Sequence, residues 1–218
     1  SARYGHFDNT EAFVAEVIQH GQGSLEELLA ADFTVANATM RSFYGLPSGP
    51  ASARVSLAGT PRRGLLAQAS FLATYAGRDE SSPVKRGVTV LRRLLCQDLM
   101  IPTGPVGVRA MMPVPVDPNA TTRQRFAAHS ADPVCRSCHD QIDPIGFALE
   151  EFDHVGRYRE QENNQPIDAS GTLAGTDVDG PFQNAGEMMA RLAASPEVTR
   201  CFARFVLRFA SATSAAPL

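Results

Sequence analysis

The stretch VCRSCHDQIDPIGFALEEFDHVGRYRE, residues 134–160, decides how the chain is interpreted, because it opens with two cysteines and a histidine at a fixed spacing. Cys135 and Cys138 are three residues apart, and His139 follows at once. Residues three apart on a helix lie on one face. Two thiols in that arrangement can reach the two vinyl groups of one porphyrin, and the next imidazole can bind the iron from the same side. The pattern is C-x-x-C-H, the attachment motif of c-type haem.

Two other kinds of site also contain a C-x-x-C pair. A structural zinc site needs four ligands, usually supplied by a second pair of cysteines or histidines. Here Cys96 and Cys201 are isolated, and the remaining histidines stand singly. A thioredoxin-like redox pair belongs beside a βαβ pattern, and none surrounds this one. Zinc, a redox pair and chance occurrence in a helical core stay open, but the sequence favours one covalently bound haem c.

Composition excludes some classes of function. The chain has 218 residues, long enough for one large domain or two small ones, and is 44% hydrophobic and 20% charged. A formal net charge of −3, without a basic stripe interleaved with aromatic residues, argues against nucleic acid as a partner. No apolar run approaches the roughly 18 residues of a membrane span. Ser1 is not a start methionine, so a preceding segment could have held a targeting signal.

Helical signals run along the whole chain. Capping residues and apolar spacing predict helices over Thr10–His20, Ser24–Leu29, Val35–Tyr44, Gly64–Tyr75, Pro83–Leu95, Thr121–His129, Ile145–Phe152, Ala185–Ala194 and Pro196–Ala210. A strand-like run covers Ala53–Ala58, and a small hairpin is predicted over Gln165–Leu173. Residues 101–120 carry five prolines and form a predicted linker or wrapping loop. The fold class is therefore mainly α, a c-type cytochrome-like helical haem domain with long ordered loops.

The region around the motif resembles the planctomycete cytochrome C domain family. That family combines C-x-x-C-H with IDP-x-GFALE-x-FD and then G-x-R, and each part is present between Cys135 and Arg159. The resemblance extends upstream through RRGLLAQASFLA and SSPVKRGVTVLRRLLCQ, and downstream through PIDASG and RCFARFVLRFA. It implies one haem, but the family has no known function beyond its haem motif.

The resemblance also implies a domain organisation. Residues 1–50, with LLAADFTVANATMRSFYGLP, resemble the end of a helical domain that precedes the haem domain, which would then span 51–218. Members are usually several times longer, so Ser1 resembles an internal site of a longer precursor. The end, FASATSAAPL, departs from the family pattern. The apolar stripes of the first three helices are predicted to fold back onto the haem domain, with a residual surface for another chain.

The ligand on the far side of the iron bears on function, because a filled position favours electron transfer and an open one permits ligand chemistry. With His139 as proximal ligand, the candidate distal ligands are Met111, Met112, His129 and His154. Met188 and Met189 fit a helical core better. Arg157 and Arg159 are candidates for the haem propionates or for ion pairs with nearby carboxylates.

The two remaining cysteines, Cys96 and Cys201, have two interpretations. Both can be buried thiols that act as small hydrophobic residues. Alternatively they form a disulfide, which fits the oxidising compartment where c-type haem is attached. We predict the disulfide.

These observations predict an electron-transfer module with one covalent haem, in a periplasmic, cell-surface or secreted assembly. Its expected partners are a redox protein, further copies of itself, or the remainder of a longer precursor. No G-x-S-x-G, H-E-x-x-H or phosphate-binding glycine loop indicates a second catalytic site. Two alternatives stay open: a peroxidase-like or oxidase-like enzyme with an open axial position, and a structural domain in which haem mainly stabilises the fold.

Overall fold

The computed structural model of the chain describes residues 2–49, 52–99, 117–131 and 133–211, with the side chains of residues 2–5, 128, 129 and 134 left out. These ranges contain nine α-helices: α1 (Ala2–Gln19), α2 (Leu25–Ala30), α3 (Ala38–Tyr44), α4 (Ala69–Thr74), α5 (Pro83–Arg93), α6 (Thr122–His129), α7 (Pro133–Ala148), α8 (Ala185–Ala193) and α9 (Pro196–Ala210). Short antiparallel strands pair as β1 (Phe33–Ala36) with β2 (Ala53–Ser56), β3 (Gln161–Glu162) with β4 (Gln165–Pro166), and β5 (Gly171–Thr172) with β6 (Pro181–Phe182). The mainly α prediction is confirmed.

Several helix starts follow from capping side chains that the sequence makes visible. The hydroxyl of Ser24 accepts a hydrogen bond from the backbone N–H of Glu27 and caps α2. Thr121 and Gln124 form both halves of a capping box at α6. Ser195 caps α9 in the same way, with proline at its first position. Each cap satisfies a backbone N–H that the helix itself leaves unpaired.

The predicted helix over Val35–Tyr44 is wrong at its start. Residues 33–36 form β1, which is buried along its whole length, and α3 begins only at Ala38. The side chain of Asn37 accepts a hydrogen bond from the N–H of Met40 and marks this start. Pairing of β1 with β2, about twenty residues later, overrides the local helical pattern.

The predicted helix over Gly64–Tyr75 also begins late, because α4 starts at Ala69. Gly64 has a φ of 47°, which a helix does not allow. Its N–H donates to the carbonyl of Ala31, and a side chain here would overlap the carbonyl of Leu29. The close approach of this turn to α2 therefore requires glycine and delays the helix.

Two predictions after the motif are corrected as well. The separate helix over Ile145–Phe152 does not form, because α7 continues through Pro144 to Ala148 in one piece. The predicted hairpin lies earlier than expected: β3 and β4 are joined by two residues with positive φ, Asn163 and Asn164. Asparagine tolerates that conformation better than most residues, which is why this pair forms the turn.

The main core lies between α2, α5, α7 and α8. Its buried members include Leu29, Leu91, Ile145, Leu149, Met188 and Leu192. Helices α5 and α7 approach closely through two glycines: a methyl group on Gly87 would overlap the carbonyl of Ile142, and one on Gly146 would overlap the carbonyl of Pro83. This crossing fixes the position of α7, the helix that carries the C-x-x-C-H motif.

The N-terminal elements pack against the rest of the fold, as their apolar stripes predict. Phe13 and Val17 of α1 are buried with Phe33 in a second cluster, while Ile18 stays exposed. Leu29 of α2 belongs to the main core. Strand β1 pairs with β2 across the predicted boundary between residues 50 and 51. The division into 1–50 and 51–218 stays a prediction. In the structure, residues from both parts share a core and a strand pair.

A disulfide joins Cys96, which follows α5, to Cys201 on α9. The two Cα atoms are 5.5 Å apart, and the prediction of this bond is confirmed. Its position ties α9 to the end of α5. None of the helices in the described residues has both the length and the apolarity to cross a membrane.

Candidate haem-attachment site

Helix α7 places the two cysteines of the motif one turn apart on the same face. Neither Cys135 nor Cys138 is part of a disulfide. Cys135 is buried, with 7% of its surface exposed, and Cys138 is half-buried against the main core. The helix begins at Pro133, two residues before the first thiol. The motif therefore lies on regular helix from its first residue, with both sulfur atoms unbridged.

The imidazole of His139 is held in place by a carboxylate. Its Nδ1 is 2.8 Å from Oδ1 of Asp143, one helical turn further along α7. The other carboxylate oxygen of Asp143 accepts a hydrogen bond of 3.0 Å from the hydroxyl of Ser130. Only 12% of the His139 side chain and 8% of the Asp143 side chain are exposed. Because Nδ1 is engaged by Asp143, a metal ion bound by this imidazole would be bound through Nε2.

Sequence reasoning missed this role of Asp143, although the signal was present. Histidine and aspartate four residues apart on a helix are neighbours on its surface. In the sequence Asp143 stands in the IDP motif, and Asp140 lies directly next to His139. The choice between them depends on the helical phase, which places Asp143 beside the imidazole and leaves Asp140 exposed.

The residues fit a covalently attached haem. Two unbridged thiols one turn apart match the spacing that two thioether bonds need, and a neighbouring imidazole anchored through Nδ1 matches an axial ligand that binds through Nε2. No group of three or more histidine, cysteine, aspartate or glutamate side chains able to hold a metal ion occurs within the described ranges. The four ligands of a structural zinc site are thus not found together among those residues.

One known protein family matches the part of the chain that contains this site. Residues 62–162, a little under half of the chain, match the model of PSCyt3, described as a protein of unknown function (DUF1588). The chain is similar to the PSCyt3 family over this segment. The resemblance to the planctomycete cytochrome C domain family is thereby confirmed, and the PSCyt3 segment contains α4 to α7 with the whole motif. No match to the chain was found among curated proteins or solved structures.

The PSCyt3 segment contains a buried ion pair between Arg86 and Glu150, which the sequence did not predict. Arg86 of α5 has no exposed side-chain surface, and its Nη1 is 3.3 Å from Oε1 of Glu150. Its guanidinium also donates to four backbone carbonyls, those of Leu72, Leu149, Phe152 and Asp153. One side chain thus joins α4 and α5 to the turn that ends α7.

The Glu150 carboxylate has two further partners. The hydroxyl of Ser81 donates to its Oε2 at 2.5 Å, and Nη2 of Arg159 is 3.0 Å from the same oxygen. Burial raises the pKa of Glu150, and the nearby Arg86 opposes that rise. The residues of this network come from the SSPVKRG, GFALE and GRYR stretches, so the network joins the first stretch to two that lie far later in the sequence.

The two predicted propionate ligands have other contacts. Arg159 pairs with Glu150 and lies 3.5 Å from Glu162, so the ion-pair alternative is found for this arginine. The guanidinium of Arg157 lies over the ring of Phe43, 5.3 Å from its centroid, and its backbone N–H donates to Asp153. Binding of either arginine to a haem propionate stays a prediction.

The distal ligand also stays a prediction. Met111 and Met112 lie outside the described residues, and the side chain of His129, at the end of α6, is not described. His154 lies half-buried in the turn after α7. Met188 and Met189 are fully buried in the main core, as their predicted packing role requires.

Proposed function

We propose that the chain is an electron-transfer module that carries one haem c, attached through Cys135 and Cys138, with His139 as the proximal iron ligand. The observation that carries the proposal is the combination on α7 of two unbridged thiols one turn apart and an imidazole anchored by Asp143. The PSCyt3 match supports a haem cofactor but does not show what the protein does with it. A haem bound here would supply a one-electron carrier.

We further propose an extracytoplasmic location, periplasmic, cell-surface or secreted. The Cys96–Cys201 disulfide supports it, because disulfides persist in oxidising compartments and are rare in the cytosol. The same compartment is where haem is attached to C-x-x-C-H motifs. The disulfide and the attachment motif thus point independently to one environment.

Mass spectrometry of the protein produced with a periplasmic c-type haem attachment system is the direct test. We expect the mass of one haem in addition to that of the chain, retained after acid-acetone extraction. The variant Cys135→Ala/Cys138→Ala should lose all of the covalent haem, because no other cysteine in the chain is near the motif in sequence. The matched control is Asp140→Asn, which changes an exposed motif residue and should keep full loading. An apo mass with two free thiols in the wild-type chain would refute the proposal.

Optical spectra of the loaded protein distinguish electron transfer from the enzyme alternative. The carboxylate beside His139 is the observation that favours the enzyme alternative, because a carboxylate makes an axial imidazole more electron-rich. A low-spin spectrum that does not change with peroxide or cyanide supports electron transfer. A high-spin spectrum that shifts on addition of either supports an enzyme with an open site, and redox inactivity of the loaded protein supports a structural role.

We propose that the module works beside another protein, either a redox partner or a second copy of the chain. A single haem must approach another redox centre, so contact is required. Helix α9 exposes large apolar side chains, among them Phe202, Leu207 and Phe209, the last with 91% of its surface exposed. Native mass measurement at micromolar concentration should detect self-association if the partner is a second copy. A strictly monomeric chain would leave the redox protein as the partner.

A further inference from the structure

We infer that Asp143 is a positioning residue that holds His139 in one tautomer and lowers the reduction potential of an iron bound by it. This inference rests on the proposed function, because it concerns the iron ligand of that site. It goes beyond that function by assigning the site to the low-potential end of the range open to histidine-ligated haem.

The geometry restricts the imidazole to one orientation. Asp143 follows His139 by one helical turn, and its Oδ1 is 2.8 Å from Nδ1. The carboxylate is itself fixed, because Ser130, just after α6, donates to Oδ2 at 3.0 Å. The acceptor is therefore supported from a second element and does not depend on its own rotamer alone. Such outer hydrogen bonds set the tautomer and the basicity of a metal-binding histidine.

The surroundings of the Asp143 carboxylate favour a strong hydrogen bond from Nδ1 of His139. Asp143 is 94% buried, so its charge is poorly screened by water. Arg123 of α6 interacts with it through space, although its guanidinium donates to the carbonyl of Asp168 and lies over the ring of Phe147. The hydrogen bonds to Asp143 that are seen in the structure come from Ser130 and His139. A buried carboxylate is a stronger acceptor for the Nδ1 proton than a neutral carbonyl.

The consequence for the iron follows from ligand basicity. An imidazole that donates its Nδ1 proton to a carboxylate carries more electron density on Nε2. That density stabilises the ferric ion more than the ferrous ion, since the ferric ion has the higher charge. An iron held by His139 would gain or lose one electron, and the proton would stay between Nδ1 and Asp143. The carboxylate therefore shifts the equilibrium toward the oxidised form.

The first test is a redox titration of the loaded protein and of Asp143→Asn. The neutral amide keeps the size of the side chain and removes its charge. We expect the equilibrium constant for reduction to rise at least about tenfold in the variant, which for a one-electron couple is a potential about 59 mV higher. Asp140→Asn is the matched control, because it removes the same charge one residue from His139 at an exposed position. An equal shift in both variants, or none in Asp143→Asn, would overturn the inference.

A second variant covers the case in which Asp143→Asn does not fold. Ser130→Ala removes the donor that fixes Oδ2 and so weakens the support of the carboxylate beside His139. The potential should therefore move upward, in the same direction as in Asp143→Asn but by less, because the charge of Asp143 remains. A downward shift in Ser130→Ala, or none, would contradict the proposed role.

A third measurement needs no haem. Nitrogen-15 NMR of the unloaded wild-type chain, at a pH where the imidazole is neutral, reports which nitrogen of His139 carries the proton. We expect the Nδ1–H tautomer, and the Nε2–H tautomer would overturn the inference. If the wild-type chain takes up no covalent haem, the proposed function fails while this measurement still decides whether Asp143 positions His139.

Discussion

Replacement of Arg86 by methionine is expected to destabilise the fold by about 3–5 kcal/mol, a large share of the total stability of a typical domain. The side chain has no exposed surface, and Glu150 beside it is 3% exposed. The variant leaves a buried carboxylate without its cation on α5, and four backbone carbonyls each lose the hydrogen bond that the guanidinium donates. Chemical denaturation monitored by circular dichroism measures the loss.

A matched control separates the buried pair from the loss of an arginine as such. The side chain of Arg78 is 94% exposed. Arg78→Met should change stability by no more than about 0.5 kcal/mol. Comparable losses in the two variants would contradict the role assigned to Arg86.

The pH dependence of the Arg86→Met variant provides a second test. Burial already raises the folded-state pKa of Glu150, and Arg86 is the largest influence that lowers it. Without Arg86 the pKa rises further, so the folded state holds its proton to higher pH than the unfolded chain does. The variant therefore loses stability as the pH rises above the unfolded value of about 4.3. Its deficit relative to wild type should be smallest below that pH and grow toward neutral pH.

Removal of the Cys96–Cys201 disulfide is expected to cost about 4.7 kcal/mol in the chain-entropy model, less any strain in the folded state. The two cysteines are separated by 105 residues, so the bond restricts a long loop in the unfolded chain. Thermal or urea unfolding of Cys96→Ala/Cys201→Ala gives the difference. Reductant should lower the stability of the wild type to that of the double variant and should not affect the double variant. A double variant as stable as wild type would show that the bond contributes little.

Local sequence signals predicted those parts of the fold that depend on neighbouring residues. The capping box at Thr121 and the cap at Ser195 lie within four residues of the N–H groups they satisfy, so the helices that follow them could be predicted. Strand β1 was missed because its partner lies about twenty residues away. The continuity of α7 was missed because an internal proline usually ends a helix. Here Ile142 and Ile145, on either side of Pro144, are buried in one core that keeps the helix intact.

In the candidate site, too, contacts between residues close in sequence could be predicted and contacts between distant residues could not. Cys135, Cys138 and His139 could be predicted because their spacing is local, and the orienting role of Asp143 lay within one helical turn. The pair formed by Arg86 and Glu150 joins residues 64 positions apart, and no periodicity reports such a contact. The disulfide could be predicted because two cysteines remained once the motif was set aside, and because the compartment where haem is attached is oxidising.

The disulfide also changes the connectivity of the molecule. Residues 96–201 form a closed covalent ring, and Cys135, Cys138 and His139 lie on it. One proteolytic cut anywhere on this ring opens the backbone but leaves the two pieces joined through sulfur. The segment that bears the motif can leave the molecule only after a second cut or after reduction of the bond. In an oxidising compartment that contains proteases, a chain cut once within residues 96–201 would thus keep its motif and its N-terminal elements in a single covalent molecule.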